Sequence, residues 1–109
     1  MAYNEELAQR VRTLMENKPT FAEKKMFGGL CFLLQGHMAC GVLNDELIIR
    51  VAPKDYEDSL QLPNTRKFTV MGQTLKDSVM VSSEGYDSNE NLSEWIERGS
   101  TFTMTLPPK

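Results

Sequence analysis

The segment Lys24-Lys25-Met26-Phe27-Gly28-Gly29 opens a run of strand-forming residues that reaches Val51 with only short turns inside it. Because glycine has no side chain, Gly28 and Gly29 can adopt positive φ and let another backbone or a ligand come close. This pattern predicts a tight antiparallel sheet at the centre of the fold. No set of catalytic residues accompanies it, so the segment says more about architecture than about activity.

The length, composition and net charge of the chain limit the classes of protein to which it can belong. The chain has 109 residues, of which 40% are hydrophobic and 25% are charged, which predicts one globular domain over residues 1–109. The net charge of −3 argues against broad binding of nucleic acid through a basic surface. The N-terminus is acidic and the chain contains no apolar run of membrane-spanning length, so we predict a cytoplasmic protein without a membrane segment.

Hydrophobic spacing predicts an α+β fold in which five antiparallel strands form one sheet carrying helices, in the order α-β-β-β-α-β-β-α. The first three strands are joined by the two-residue turns Gln35-Gly36 and Asn44-Asp45. Asp77 interrupts the last strand and marks a bulge or an edge. The predicted strands are Leu30 to Leu34, Met38 to Leu43, Glu46 to Val51, Lys67 to Val70 and Leu75 to Val81.

Three helices complete the prediction. The first carries Tyr3 to Met15 at helical spacing, and the second is short and begins at Pro53. The third starts at a capping box made by Asp87 and Glu90. From residue 101 to residue 106 threonines alternate with apolar residues, so this segment fits either a continued helix or an extended chain.

The register of the first hairpin follows from its turn. Paired positions sum to 71, which places Leu33 opposite Met38 and Cys31 opposite Cys40. One sheet face then collects Cys31, Leu33, Met38, Cys40, Val42, Leu47, Ile49 and Val51, and the opposite face Leu30, Phe32, Leu34, Ala39, Gly41, Leu43 and Ile48. Both faces are too apolar to meet water. We therefore expect helices on the first face and a second copy of the chain on the other, as a homodimer, with a helix as the alternative cover.

These residues resemble the N-terminal domain of the TfoX/Sxy family. The likeness covers nearly the whole chain, and its most specific part is Lys25-Met26-Phe27-Gly28-Gly29. It is supported by the hairpin around Gly72 and by the helical Trp95. The resemblance implies an α+β domain without known enzymatic activity. In full-length relatives this domain precedes a C-terminal helical domain, and those proteins are similar to bacterial regulators of natural competence that act with the cyclic-AMP receptor protein. Only 14 residues follow Trp95, so we expect a stand-alone N-terminal domain.

Candidate reactive residues are few. In the predicted register Cys31 and Cys40 could form a redox-sensitive pair, but two reduced, buried thiols are favoured in the cytoplasm. His37 points away from Cys31, so a Cys-His dyad is not expected. One histidine and two cysteines are too few for a zinc site, and Gly28-Gly29 lacks the Lys-Ser/Thr of a phosphate loop. We predict no catalytic residue, metal or cofactor.

The candidate interaction or structural motif comprises Lys25, Met26, Phe27, Gly28, Gly29, Arg50 and Trp95. Lys24, Lys25 and Arg50 could gather as an anion or partner contact, although strand-edge lysines that oppose aggregation are the favoured interpretation. Trp95 is expected to anchor the last helix in the core.

Three functional hypotheses follow. The favoured one is a homodimeric, non-enzymatic module that binds a protein partner such as a transcription regulator. The second, against which the net charge of −3 argues, is direct DNA binding through Lys18, Lys24, Lys25, Arg66 and Lys67. The third is a small-molecule-binding domain or an unrecognised enzyme with a pocket near Gly28-Gly29.

Overall fold

The strand-forming run of the sequence lies at the centre of an antiparallel sheet. The computed structural model describes residues 3–26, 28–70 and 72–107. Their strands are β1 Ala22–Met26, β2 Gly29–Leu34, β3 His37–Leu43, β4 Glu46–Arg50, β5 Thr65–Val70 and β6 Gln73–Val81. The described part of the sheet has six strands in the spatial order β1-β2-β3-β4-β6-β5, and neighbours are antiparallel throughout.

The prediction of five strands is wrong because β1 gives little signal in the sequence. Its residues, Ala-Glu-Lys-Lys-Met, show no alternation of apolar and polar side chains, and all but Met26 are exposed. β1 pairs with β2 at the edge of the sheet, from Ala22 opposite Leu33 to Met26 opposite Gly29. Backbone hydrogen bonds rather than side-chain burial therefore define this strand, and its charges suit an exposed edge.

The helices are α1 Glu5–Met15, α2 Tyr56–Leu60, α3 Ser83–Tyr86 and α4 Asn89–Met104, with a 3-10 turn at Pro53–Asp55 leading into α2. The predicted first and second helices are confirmed. The side chain of Asn4 caps α1 by accepting a hydrogen bond from the backbone N–H of Leu7 at 3.0 Å. The predicted order lacks β1 and the one-turn helix α3, which is too short to show helical periodicity.

The start and end of α4 differ from the prediction. Ser88, not Asp87, caps the helix, and its hydroxyl accepts from the N–H of Asn91 at 3.1 Å. The helix continues to Met104, so the extended alternative for residues 101–106 is wrong. Thr103 explains this: it is fully buried on the inner side of α4, and its hydroxyl donates to the carbonyl of Gly99 at 2.6 Å. A threonine can therefore occupy a buried helical position when a carbonyl of the preceding turn accepts a hydrogen bond from its hydroxyl.

The register between β2 and β3 is correct at the turn and wrong beyond it. Leu33 faces Met38 as predicted, but a bulge follows, so that Phe32 faces Cys40 and Cys31 faces Gly41. The extra residue on β3 is Ala39. The predicted pairing of Cys31 with Cys40 is therefore wrong. Across the next turn the predicted register holds, with Cys40 opposite Ile49 and Val42 opposite Leu47.

The bulge also changes the composition of the two sheet faces. On β2 the residues that point toward the helices are Leu30, Phe32 and Leu34, not Cys31 and Leu33. We call this side the helix face. Its core joins residues of all four helices to strand residues, namely Leu7, Val11, Met15, Tyr56, Tyr86, Leu92, Trp95, Ile96, Leu30, Phe32, Leu34, Cys40, Val42, Leu47, Ile49, Val79 and Val81.

The other side, which we call the concave face, is largely buried within the single chain. Its centre is a second cluster formed by strand residues, in which Ile48, Phe68 and Met80 are at most 3% exposed and Met38, Leu43 and Leu75 pack against them. No described helical residue belongs to this cluster. Neither a second copy nor a helix is therefore needed to bury the centre of this face, although the homodimer itself stays a prediction.

The β5–β6 hairpin provides the cover. Its register shifts by three residues between Lys67, which faces Val79, and Phe68, which faces Leu75. Residues 76–78 lie between the two registers, so the predicted bulge at Asp77 is confirmed. The shift lets the far half of the hairpin turn over the concave face and place Phe68 against Ile48 and Met80. The turn residue Met71 lies outside the described residues.

Candidate functional site

The two glycines of the motif have different physical roles. Gly28 has a φ of +78°, and a Cβ built there would meet no atom within 4 Å, so backbone conformation alone favours glycine. At Gly29 a Cβ would lie closer than 3.0 Å to the carbonyl oxygen of Val42, a separation that real Cβ atoms essentially never show. The close approach expected at this motif is made by the chain's own strand β3.

A cleft opens on the concave face where β1 and the β5–β6 hairpin come near each other. We call it the Arg50 cleft. Its volume is about 260 Å³. It is lined by residues of five strands that are neighbours in the sheet, β1, β2, β3, β4 and β6, and of the β2–β3 turn. They are Lys24, Met26, Leu33, Gly36, Met38, Arg50, Leu75, Asp77 and Ser78. Two residues of the predicted motif, Met26 and Arg50, thus meet in one site. Neither Gly28 nor Gly29, beside which a pocket was predicted, lines the Arg50 cleft.

Arg50 carries the charge at one end of this cleft. One of its terminal nitrogens, Nη2, lies 3.3 Å from Oδ2 of Asp77 on the neighbouring strand. Its Nε is buried and has no hydrogen-bond partner among the described residues. The side chain as a whole keeps 22% of its surface exposed, so the guanidinium is held in place while part of it faces the cleft.

The two neighbouring lysines lie on different surfaces. Lys24 pairs with Cys31 and so projects on the concave face, where it lines the Arg50 cleft. Lys25 pairs with Leu30 and projects on the opposite side. Both lysines are exposed on an edge strand, in agreement with the favoured interpretation. Of the three cations considered as an alternative contact, Lys24 and Arg50 line one cleft and Lys25 does not. The cleft also contains residues of β6 that the sequence did not indicate as part of a site, because only the folded-over hairpin brings them there. They are Leu75, Asp77 and Ser78.

Other residues of the motif are structural. Trp95 is 8% exposed in the helix-face core, and the guanidinium carbon of Arg98 lies 5.4 Å from the centre of its ring. The anchor role expected for Trp95 agrees with this position. Phe27 lies outside the described residues.

Neither thiol is poised as a nucleophile. Burial raises the pKa of Cys31 to about 11 and raises the pKa of Cys40 further. The sulfur of Cys40 lies 3.2 Å from the sulfur of Met15, inside the helix-face core. The two thiols are free and, because of the bulge, point to opposite faces of the sheet. The imidazole of His37 lies 2.6 Å from the carbonyl oxygen of Pro107, away from both cysteines.

A second, larger concavity lies on the helix layer. This groove, which we call the α4 groove, has a volume of about 1010 Å³ and runs between α4 and the Pro53 turn. Its lining includes the apolar residues Val51, Pro53 and Phe102. Its charged lining residues, which we call the rim, are Lys54, Asp55, Glu94, Glu97 and Arg98. No sequence motif indicates this groove, because its two walls are about 45 residues apart in the chain and each resembles an ordinary helix surface.

The described ranges contain no grouping of three or more His, Cys, Asp or Glu side chains able to hold a metal ion. None of the helices in these ranges combines the length and apolarity needed to cross a bilayer.

The class of protein is an α+β domain in which one antiparallel sheet carries a layer of helices on one face and folds over its other face. The family model described as the TfoX N-terminal domain matches residues 13–102. The chain therefore belongs to the TfoX N-terminal domain family, as the Met26 to Gly29 segment and Trp95 had indicated. No curated protein matches the chain.

Proposed function

We propose that this domain is a non-enzymatic regulatory module that acts in the cytoplasm by binding a protein partner. A transcription regulator is the class of partner that the family resemblance implies. The observation that carries the proposal is the α4 groove, because it is larger than the Arg50 cleft and is lined by both apolar and charged side chains.

The groove has the properties of a docking surface rather than of a reaction site. Phe102 is half-buried and can receive an apolar side chain of the partner. Around it, Arg98 pairs with Glu94 at 3.5 Å and Glu97 pairs with Lys18 at 2.7 Å, so much of the rim charge is already balanced. Such a rim favours a partner segment of mixed charge with an apolar anchor.

The state of the chain's nucleophiles supports the non-enzymatic part of the proposal. The thiols of Cys31 and Cys40 are buried, with raised pKa, and thiolate rather than thiol is the reactive form of cysteine. His37 contacts a backbone carbonyl instead of a nucleophile or a carboxylate.

Direct DNA binding receives less support. Of the five cations invoked for it, Lys18 is paired with Glu97, and Arg66 is paired with Glu46. Lys24 and Lys25 project on opposite sides of β1. These cations form no continuous basic stripe along which a phosphate backbone could lie.

The proposal includes a homodimer that does not need the concave face. The centre of the concave face is covered within one chain, so a second copy is not required there. A twin subunit would instead use a surface such as the α4 groove, and the experiment below separates it from a different partner.

A photo-crosslinking amino acid at Thr101, an exposed groove residue, tests the proposal in cells that express the full chain. The matched control carries the same group at Thr69, which is also exposed but lies on the β5–β6 hairpin. We expect a discrete crosslinked species at Thr101 that is absent at Thr69 and is weakened by Phe102→Ala. Mass spectrometry then identifies either a second copy or a different protein. Equal crosslinking at both positions, or none at Thr101, would contradict a role for the groove.

A further inference from the structure

We propose that the Arg50 cleft binds a small organic acid, a monocarboxylate with an apolar body. This inference goes beyond the proposed protein-binding function, because it concerns the concave face and not the α4 groove. It depends on the apolar and charged side chains that line the cleft and on the guanidinium of Arg50, which keeps part of its surface exposed.

The apolar walls define the body of the ligand. Met26, Leu33, Met38 and Leu75 line the cleft, and all four are only partly buried, so apolar surface remains available to a guest. The volume of about 260 Å³ lies just below the usual range for drug-sized ligands. Two flexible methionine side chains let the walls adapt to a ring or to a branched aliphatic group.

The guanidinium of Arg50 defines the head group of the ligand. A guanidinium has five N–H donors in a planar fork, and Arg50 uses its Nη2 toward Asp77 at 3.3 Å while Nε has no acceptor. A carboxylate presents two oxygens in one plane and matches such a fork. Lys24, on β1, also lines the cleft and adds a second cation.

Charge balance selects a monoanion. The lining contains two cations, Lys24 and Arg50, and one anion, Asp77, which leaves a formal charge of +1. One carboxylate neutralises this charge. A phosphate dianion would overcompensate it and would meet repulsion from the Asp77 carboxylate, which lies at the same end.

The neighbouring lysine provides an internal control within the same strand. Lys24 and Lys25 are both exposed on β1, and β1 is held by backbone pairing, so alanine at either position leaves the core intact. Only Lys24 faces the cleft. A cleft ligand must therefore distinguish the two variants, whereas a nonspecific attraction of anions to strand-edge lysines would not.

The test uses phenylacetate as the probe and phenylacetamide, its neutral analogue, as the matched compound. Protein labelled at the methionine methyl groups is titrated with each and followed by NMR. We expect saturable shifts of the Met26 and Met38 methyls with phenylacetate, no shift of the exposed Met104 methyl on α4, and binding of phenylacetamide that is at least about tenfold weaker. Lys24→Ala should weaken phenylacetate binding about fivefold, and Lys25→Ala should leave it unchanged.

Each contrary outcome overturns the inference. Equal binding of phenylacetamide would show that no carboxylate is recognised. Equal loss in Lys24→Ala and Lys25→Ala would show a general charge effect. Shifts that do not saturate by about 10 mM, or that appear first at Met104, would show that the cleft is not the site. Arg50→Met should abolish binding, and its amide spectrum reports whether the fold is kept.

Discussion

Gly99 of α4 lies directly against the carbonyl group of Ala39, the extra residue of the β3 bulge. A Cβ at position 99 would be closer than 3.0 Å to that oxygen. The helix α4 therefore meets the sheet at the bulge itself. At this contact α4 carries a glycine, which has no side chain, and β3 carries the extra residue. This contact fixes how α4 sits on the helix face.

The first prediction concerns this contact. In an ordinary helix interior, replacing glycine by alanine stabilises a protein by roughly 0.5–1 kcal/mol. Gly99→Ala should do the opposite and lower the free energy of unfolding by about 1–3 kcal/mol, because the obstructing atom belongs to a backbone that cannot rotate away. Urea unfolding followed by circular dichroism measures the difference. Thr101→Ala, at an exposed position of the same helix, should change stability by less than about 0.5 kcal/mol.

The second prediction separates the two glycines of the motif. Gly28→Ala should cost about 1–2 kcal/mol because of its left-handed backbone, and Gly28→Asn should recover part of that loss, since asparagine tolerates this conformation. Gly29→Ala and Gly29→Asn should both be severely destabilising, because any Cβ meets the carbonyl of Val42. Thermal melts of the four variants test the contrast. Recovery by asparagine at position 29 would show that conformation, not space, selects glycine there.

The third prediction concerns the cysteines. Since Cys31 and Cys40 point to opposite faces of the sheet, treatment with diamide should form no bond between them in the native chain. Burial raises the pKa of Cys31 to about 11 and also raises the pKa of Cys40, so alkylation by iodoacetamide at pH 8 should be slow until the protein unfolds.

Mass spectrometry checks both statements. Native protein should keep two unmodified thiols, and protein in guanidinium chloride should gain two alkyl groups. A native species lighter by two hydrogens would contain a disulfide between Cys31 and Cys40. It would mean that the bulge at Ala39 is absent in solution.

The fourth prediction is a pH dependence. Arg12 and Glu23 form two hydrogen bonds, from Nε to Oε2 at 2.5 Å and from Nη2 to Oε1 at 2.8 Å, which tie α1 to β1. The hydrogen bond from Arg12 lowers the pKa of Glu23. A lowered pKa means that the carboxylate stabilises the fold above its unfolded pKa of about 4.3 and loses this effect as the pH falls through the folded value.

A double-mutant cycle of Glu23→Gln and Arg12→Gln isolates the pair. Because both side chains are partly exposed, we expect a coupling of about 0.2–1 kcal/mol at pH 7 and a smaller one at a lower pH, where Glu23 is protonated. A coupling that is unchanged at the lower pH would contradict an electrostatic origin.

The parts of the fold that depend on local sequence patterns could be predicted from the sequence. The two-residue turns at Gln35-Gly36 and Asn44-Asp45, the first two helices and the bulge at Asp77 each leave a local signal, and each is present. The strand β1 was missed because an exposed edge strand needs no apolar alternation.

The errors on the sheet faces share one cause. A single extra residue at Ala39 reverses the side of the sheet on which the β2 residues lie, and no residue type at that position announces a bulge. The Arg50 cleft could be anticipated in part, since Lys24 and Arg50 were considered together. Its hairpin wall, with Leu75 and Asp77, could not be anticipated, because it depends on how far the register shift turns β5 and β6.

The folded-over hairpin has a consequence for how such a domain can evolve. A sheet that shields its own second surface keeps a dry interior whether the molecule is solitary or assembled. Substitutions on the exposed surface can then alter which proteins bind there without uncovering the hydrophobic core.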